Sequence, residues 1–319
     1  MRVSPCSLRL TMQRIDELLE KTSRTFALSI PLLPQPTRRQ LGVAYLLFRV
    51  ADTFEDAVDW SKDRRITALR EFEDLLQTPS QDRARELGTA WAAGRPIEHE
   101  GYLELLRDAA VVIEAFSGLE PAAREIIRRD TLRTAEGMVG FVERTKGGQL
   151  RLRDLDDLRQ YCYTVAGIVG EMSTDLFLLG REVEPDLADS LRARAPRFGE
   201  ALQLVNILKD AAFDGDEGRS YLPAGVARDA VFELAHADLE IAAEYTNDLQ
   251  AAQAPRGVVA FCALPIRLAY AALEAVQLHG PGSKVTREQV FAIVDAMDKA
   301  LDAGSPAVPL EEPVGSSPL

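Results

Sequence analysis

The chain is poor in the residues that build disulfide frameworks and zinc sites. Its 319 residues include only three cysteines, Cys6, Cys162 and Cys262, which are too few and too scattered for either arrangement. The three histidines occur in no HExxH setting, which argues against a histidine-based metal site. A reducing compartment, the cytoplasm, is therefore the expected location.

Positive charge is also in short supply. The sequence has 37 Lys and Arg against 50 Asp and Glu, for a net charge of −13. A nucleic-acid backbone needs a basic face, so nucleic acid is excluded as a partner. An acidic protein that binds a still more acidic ligand needs metal ions or local arginines.

Long apolar runs and strand-like alternation are missing as well. No run approaches the roughly 20 uninterrupted apolar residues of a membrane span, and the first residues lack the apolar stretch of a signal peptide. Helical periodicity predicts an all-α chain with a single domain over residues 12–303. Residues 1–11 and the Pro-, Gly- and Ser-rich residues 304–319 are predicted to be disordered.

The helices expected from this periodicity differ in character. Residues 38–60 are predicted to form one long helix whose middle, 41–50, is apolar on nearly every face, as is typical of a helix central to a bundle. Amphipathic helices are predicted over residues 12–23, 63–76 and 102–116, and further helices over 122–143, 154–179, 224–251 and 258–279, with a last helix ending near 303.

Acidic residues at helical spacing are the most informative feature that is present. In LQLVNILKDAAFDGDEGRSYLP (202–223), Asp210 and Asp214 are four residues apart and would share one helix face. Like charges so placed repel, and a Mg²⁺ ion shared with substrate phosphates would relieve the repulsion. A solvated acidic helix end is the alternative, and for an isolated DxxxD pattern it would be preferred.

The pattern occurs a second time. In YLLFRVADTFED (45–56), Asp52 and Asp56 are again four apart, with Glu55 beside them. A basic residue precedes each pair, Arg49 in one and Lys209 in the other. Acidic ends on buried helices are costly unless paired or metal-bound, so two facing clusters could hold Mg²⁺ ions and a diphosphate.

Small residues inside predicted helices need a separate explanation. Ala166, Gly167 and Gly170 fall on one face with Tyr163, although glycine inside a helix costs about 1 kcal/mol relative to alanine. Close helix packing and room for a ligand explain this equally well. For the GMVGF stretch (137–141), packing is preferred to a cavity border.

Four segments in order carry a resemblance to a known family. SRTF, YLLFRVADTFED, YCYTVAGIVG and QLVNILKD followed by DEGRSYLP resemble the squalene and phytoene synthases, which join prenyl diphosphates head to head, and most of all the bacterial squalene synthases. The resemblance extends over residues 23–290. It implies an isoprenoid synthase-type helical bundle around a central cavity.

The resemblance also implies site residues. The catalytic set is Tyr161, matching a tyrosine implicated in the first half-reaction, with Asp52, Asp56, Asp210 and Asp214. The metal ligands would be Asp52, Glu55, Asp56, Asn206, Asp210 and Asp214. The diphosphate contacts would be Arg24, Tyr45, Arg49, Gln203, Asn206, Lys209 and Arg219. Lys209 stands where the family usually has arginine, so it keeps the charge and loses the bidentate fork.

The implied activity is a squalene synthase that uses Mg²⁺ and NADPH and condenses two farnesyl diphosphates through presqualene diphosphate. The segments FCALPIRLAYAAL and SKVTREQV look more like squalene synthases than phytoene synthases. Lys284 and Arg287 are therefore candidates for the phosphates of NADPH, a surface basic pair being the alternative.

Other activities stay open. The reaction could stop without reduction at presqualene diphosphate, dehydrosqualene or phytoene. A non-catalytic scaffold of the same fold is a more remote alternative. A cyclising terpene synthase is a further alternative, but the segments YCYTVAG and GRSYLP fit it less well. No obligate protein partner is evident. Because the product is insoluble in water, peripheral contact with the inner face of a membrane is expected, through an apolar rim near the cavity mouth.

Overall fold

The computed structural model describes residues 5–23, 26–146, 150–216 and 221–310, without the side chains of residues 5–9, 27 and 212–216. Within these ranges the chain forms helices and no strand, which confirms the predicted all-α class. The helices are α1 Pro5–Thr22, α2 Phe26–Ser29, α3 Thr37–Glu55, α4 Lys62–Gln77, α5 Gln81–Ala93, α6 Glu100–Arg107, α7 Ala109–Ser117, α8 Pro121–Glu143, α9 Leu155–Cys162, α10 Ile168–Leu178, α11 Pro185–Asp216, α12 Arg228–Ala251, α13 Arg256–His279 and α14 Arg287–Asp302. A 3₁₀ turn, Ile30–Leu32, precedes α3, and a π-helical turn, Tyr163–Gly167, joins α9 to α10.

Helix α3 lies at the centre of the bundle, as its apolar sequence predicts. Leu46, Leu47 and Ala51 are almost completely buried, and α3 contacts α1, α4, α6, α7, α8 and α10. It ends at Glu55, with Asp56 as its C-cap, rather than near residue 60. The first acidic cluster therefore occupies the last turn of the central helix.

Helix boundaries in the first half of the chain differ from the sequence expectation. Helix α1 begins at Pro5, in a stretch expected to be disordered up to residue 11. The expected helix 102–116 is divided at Asp108 into α6 and α7. Helix α5 was not predicted, although Ser80 caps it by accepting a hydrogen bond from the Arg83 backbone N–H at 3.3 Å and its buried residues Ala84, Leu87, Gly88 and Trp91 follow helical spacing.

Backbone-to-backbone packing joins α10 and the π-helical turn to α11. A Cβ atom added at Gly199 would lie 1.9 Å from the carbonyl oxygen of Ala166, and one added at Gly170 would lie 2.1 Å from that of Ala195. No side chain fits at such distances. Close packing therefore accounts for the cost of placing glycine in these helices.

The C-terminal helices form an antiparallel pair. Arg256, at the start of α13, bonds to Asp298 at 2.9 Å and Asp302 at 3.0 Å near the end of α14. By length and composition α13 is apolar enough to cross a membrane, but 61% of its most apolar window is buried inside the protein, as in the core helix of a soluble protein.

Residues 304–310 are packed against α12 and α13, although their composition predicts disorder. Ala307 and Val308 are buried. Arg267 Nε donates to the Ala307 carbonyl at 2.6 Å and Asn247 Nδ2 donates to the Val308 carbonyl at 3.1 Å. Two buried apolar side chains and these hydrogen bonds offset the entropy of ordering a short segment.

Candidate active site

Three carboxylates converge in the last turn of α3. Oxygen atoms of Asp52, Glu55 and Asp56 all lie within 4.8 Å of one another. Glu55 is buried 4.0 Å from the buried guanidinium of Arg65, which also donates to the Glu55 backbone carbonyl. Repulsion among the carboxylates favours a bound cation, and an all-oxygen donor set fits Mg²⁺ rather than a softer metal.

Arg49 lies one turn before this cluster. Its guanidinium packs over the rings of Tyr45 and Tyr102, with its central carbon 5.5 and 5.1 Å from their centroids, and it pairs with Asp52. Burial lowers the pKa of Arg49, but Asp52 and Tyr45 outweigh burial and raise it above its ordinary value. A permanent cation therefore stands at the edge of the carboxylate cluster.

Tyr45 ties this region to the end of α1. Its hydroxyl donates to the Thr22 carbonyl at 2.8 Å and accepts from Arg49 Nη2 at 3.2 Å. Its ring lies 5.6 Å from that of Phe26. The orientation of Arg49 thus depends on contacts from two segments outside α3.

Tyr161 is buried beside the same cluster. Its ring is stacked on Tyr221 at 4.9 Å and meets Phe141 edge-on at 5.1 Å. Burial, followed by the nearby charge of Glu55, raises the pKa of the Tyr161 hydroxyl well above its usual value. The phenol is therefore neutral and able to donate a hydrogen bond.

Tyr221 connects this phenol to the carboxylates. The Tyr161 ring is stacked on the Tyr221 ring, and the Tyr221 hydroxyl donates to Asp56 Oδ1 at 3.3 Å. The three side chains form a continuous path from a buried phenol to a half-exposed carboxylate.

The second acidic segment is more open to solvent. Lys209 Nζ lies 3.2 Å from Asn206 Oδ1 and 3.5 Å from Asp210 Oδ2. Asn206 is exposed and Gln203 half-buried. Asp214 falls within α11, but its side chain, together with Arg24 and Arg219, lies outside the described residues.

The chain contacts the end of α3 at Tyr221, five residues after α11 ends. Positions 216 and 221 are five residues apart, so their Cα atoms are separated by no more than about 18 Å. Tyr221 contacts Asp56 directly. The end of α11 is therefore held in the neighbourhood of the first cluster.

Lys284 lies on the loop between α13 and α14, Arg287 is the first residue of α14, and both residues are exposed. The Gly282 N–H donates to the Lys209 carbonyl at 2.7 Å. This bond places the loop beside the C-terminal part of α11.

Three residues near the site were not singled out from the sequence. Tyr221 lies in the DEGRSYLP segment, which resembles the family, but the resemblance implies no role for this tyrosine. Tyr102 and Arg65 belong to helices α6 and α4, which have the amphipathic pattern of scaffold helices. Their proximity to the cluster is a consequence of tertiary packing alone.

Comparison with known proteins relates the chain to one family. Residues 19–290 match the squalene/phytoene synthase family. The squalene synthase of Candida albicans is 30% identical over 243 residues, which is 74% of this chain and 47% of that protein. The squalene synthase of Schizosaccharomyces pombe is 30% identical over 66% of this chain and 44% of its own length. The chain thus spans about half the length of these relatives.

Solved structures share the fold. A squalene synthase, TcSQS, in complex with a ligand has a TM-score of 0.74 at 24% identity, covering 89% of this chain and 85% of that one. The squalene synthase HpnC from Alicyclobacillus acidocaldarius has a TM-score of 0.55 at 18% identity, covering 87% and 97%. With the family match extending over most of its residues, the chain belongs to the squalene/phytoene synthase family.

Proposed function

We propose that the chain is a squalene synthase, which condenses two farnesyl diphosphates through presqualene diphosphate and reduces the product with NADPH. The observation that carries the proposal is the contact between the Asp52–Glu55–Asp56 cluster and the buried Tyr161 through Tyr221. Such an arrangement combines a diphosphate-binding end with a water-excluding interior, as ionisation of a prenyl diphosphate requires.

The carboxylates of the two acidic segments are proposed to hold Mg²⁺. The ligands would be Asp52, Glu55, Asp56, Asn206, Asp210 and Asp214. Bound Mg²⁺ would neutralise the charge that develops on the departing diphosphate. Arg49 and Lys209 add positive charge in the described residues, and Arg24, Tyr45, Gln203 and Arg219 complete the proposed diphosphate contacts.

Tyr161 is proposed to act in the first half-reaction. Formation of presqualene diphosphate breaks one carbon–oxygen bond, releases diphosphate and frees one proton. Tyr161 is stacked on Tyr221, whose hydroxyl donates to Asp56, so the proposed site of proton release lies beside the carboxylate cluster. Buried aliphatic residues, among them Val43, Leu47 and Val50, keep water from the neighbouring core.

NADPH would supply the hydride for the last step. Lys284 and Arg287 are proposed to bind its phosphates, because the Gly282–Lys209 hydrogen bond brings their loop to α11. Exposed cations of this kind suit a phosphate ligand but are also common on protein surfaces.

A product assay tests the proposal. Purified protein is incubated with farnesyl diphosphate and Mg²⁺, with and without NADPH, and the extracted lipids are identified by mass spectrometry. Squalene formed only with NADPH is the expected result. Presqualene diphosphate or dehydrosqualene in both reactions would overturn the reductive step, and no product from farnesyl or geranylgeranyl diphosphate would favour a scaffold role.

Membrane contact is proposed for an exposed apolar ridge formed by Leu28, Pro31 and Leu32. The two leucines are 53% and 39% exposed, and Pro31 is also exposed. Phe26, in the same segment, packs on Tyr45 at the site. Replacing both leucines by serine should reduce the fraction of protein that floats with phosphatidylcholine vesicles. Leu10→Ser, at a position 63% exposed on α1, is the control and should not reduce it. Equal flotation of the two variants would argue against membrane contact through the ridge.

A further inference from the structure

A charged cluster is buried on the side of α9 away from the carboxylates. Arg159 Nη2 donates to Asp238 Oδ1 at 3.0 Å, and Arg159 Nη1 lies 3.8 Å from Glu200 Oε2. Arg197 pairs with Glu200 and lies 3.9 Å from Asp238 Oδ1. The cluster thereby joins α9 to α11 and α12.

The acidic members are almost completely withdrawn from water. The side chain of Asp238 is 0% exposed and that of Glu200 is 4% exposed. Asp238 Oδ2 makes no hydrogen bond within the described part of the chain. Burying such a carboxylate is costly, and removing its arginine partner is costlier still because the charge is then left unpaired. The interaction between Arg159 and Asp238 is thus a firm attachment point.

Arg159 and Tyr161 lie on opposite faces of the same short helix. Residues two apart are about 200° apart around a helix axis. Arg159 reaches outward to α12, whereas Tyr161 reaches inward to Tyr221 and the carboxylates. Helix α9 has 8 residues and continues into the π-helical turn with helical backbone angles, so the contacts of its outer face act together with that connection in setting its rotation.

The cluster also touches the π-helical turn that follows α9. A Cβ atom added at Gly167 would lie 3.4 Å from the Cγ and Oε1 atoms of Glu200. Cys162, directly after Tyr161, is completely buried. The charges therefore pack against the chain on both sides of Tyr161.

We propose that Asp238 is a positioning residue that acts through Arg159 and fixes the rotation of α9 that directs Tyr161 towards the carboxylate cluster. Loss of the Asp238 charge would free the outer face of α9 and displace the phenol. A displacement of about 1 Å at a reacting group costs up to about 100-fold in rate. The effect on turnover rests on the proposed function, whereas the effect on Tyr161 itself does not.

The test uses Asp238→Asn and a matched control, Asp248→Asn. Asp248 lies on the same helix, and its side chain bonds to Ser190 at 2.9 Å and pairs with Arg194 at 3.1 Å, both on α11. Each variant carries 3-fluorotyrosine at position 161, and its ¹⁹F resonance is recorded without ligand. The resonance should move in Asp238→Asn and stay at the wild-type position in Asp248→Asn.

Turnover of farnesyl diphosphate provides the second readout. Asp238→Asn should lower kcat by about 10- to 100-fold with KM unchanged, while Asp248→Asn retains wild-type kcat. If Asp238→Asn does not fold, Arg159→Lys, which keeps the charge but loses the fork, should give a smaller shift of the resonance and a smaller loss of kcat.

A ¹⁹F resonance that is unchanged in both Asp238→Asn and Arg159→Lys would overturn the inference. A shift in Asp238→Asn that Asp248→Asn reproduces would overturn it as well, because any α12 substitution would then have the same effect. If the wild-type protein makes no product, the proposed function fails and the resonance comparison alone decides the positioning role.

Discussion

The Tyr221 hydroxyl donates a hydrogen bond to Asp56 at 3.3 Å, joining positions 165 residues apart. The same tyrosine is stacked on Tyr161. The Tyr221 side chain thus contacts both the buried phenol and the first acidic cluster. The contributions of its hydroxyl and of its ring can be tested separately.

Tyr221→Phe removes the hydroxyl and keeps the ring. Hydrogen bonds to charged groups contribute about 1.5–3 kcal/mol, so kcat should fall by about 10- to 100-fold while the stack on Tyr161 persists. Tyr245→Phe is the control, since the buried Tyr245 hydroxyl bonds to Thr174 at 2.7 Å, distant from the carboxylates. Equal kcat values for Tyr221→Phe and the wild type would show that the path to Asp56 is not used.

The proposed metal sites predict loss of activity without unfolding. Asp52→Ala or Asp210→Ala should abolish turnover and leave the helical circular dichroism signal largely intact. EDTA should have the same effect on the wild type, and added Mg²⁺ should reverse it. The control is Asp82→Ala, at a side chain 96% exposed on α5. A near-normal rate in either acidic-segment variant would refute the Mg²⁺ assignment.

Glycine packing predicts a difference in stability between two helix positions. Gly199→Ala would place a Cβ 1.9 Å from the Ala166 carbonyl oxygen, and the forced separation of α11 from the π-helical turn should cost about 1–3 kcal/mol or more. At Gly140 no atom lies within 4 Å of an added Cβ, so Gly140→Ala should stabilise α8 by up to about 1 kcal/mol. Denaturant unfolding of both variants measures the contrast, and similar free energies would contradict the packing.

Glu200 predicts a pH dependence of stability. Burial, only partly opposed by Arg197, raises its pKa from 4.5 to about 7. Between these values the folded protein keeps a proton that the unfolded chain has released, so the free energy of unfolding declines as pH rises through this range and stays lower above it.

Glu200→Gln removes this titration. The melting temperature of Glu200→Gln minus that of the wild type should therefore become larger as the pH is raised from 5 to 8. Glu244→Gln, on the more exposed face of α12, controls for loss of a carboxylate near an arginine. A difference between Glu200→Gln and wild type that does not vary with pH would contradict the assignment.

Much of this molecule follows from its sequence, and what does not has identifiable causes. The all-α class and the central position of α3 follow from apolar periodicity, and the spacing of Asp52 and Asp56 placed them on one helix face. The connection from Asp56 through Tyr221 to Tyr161 depends on how the chain returns after α11, which no local pattern specifies. The division at Asp108 and the packed residues 304–310 depend likewise on neighbours distant in sequence.

The contact of Gly199 with Ala166 has a consequence for motion. Surfaces that meet backbone to backbone cannot slide without separating, because no flexible side chains lie between them. The π-helical turn and the part of α11 around Gly199 are therefore expected to move together, so a shift of this part of α11 would be passed directly to the turn that follows Tyr161.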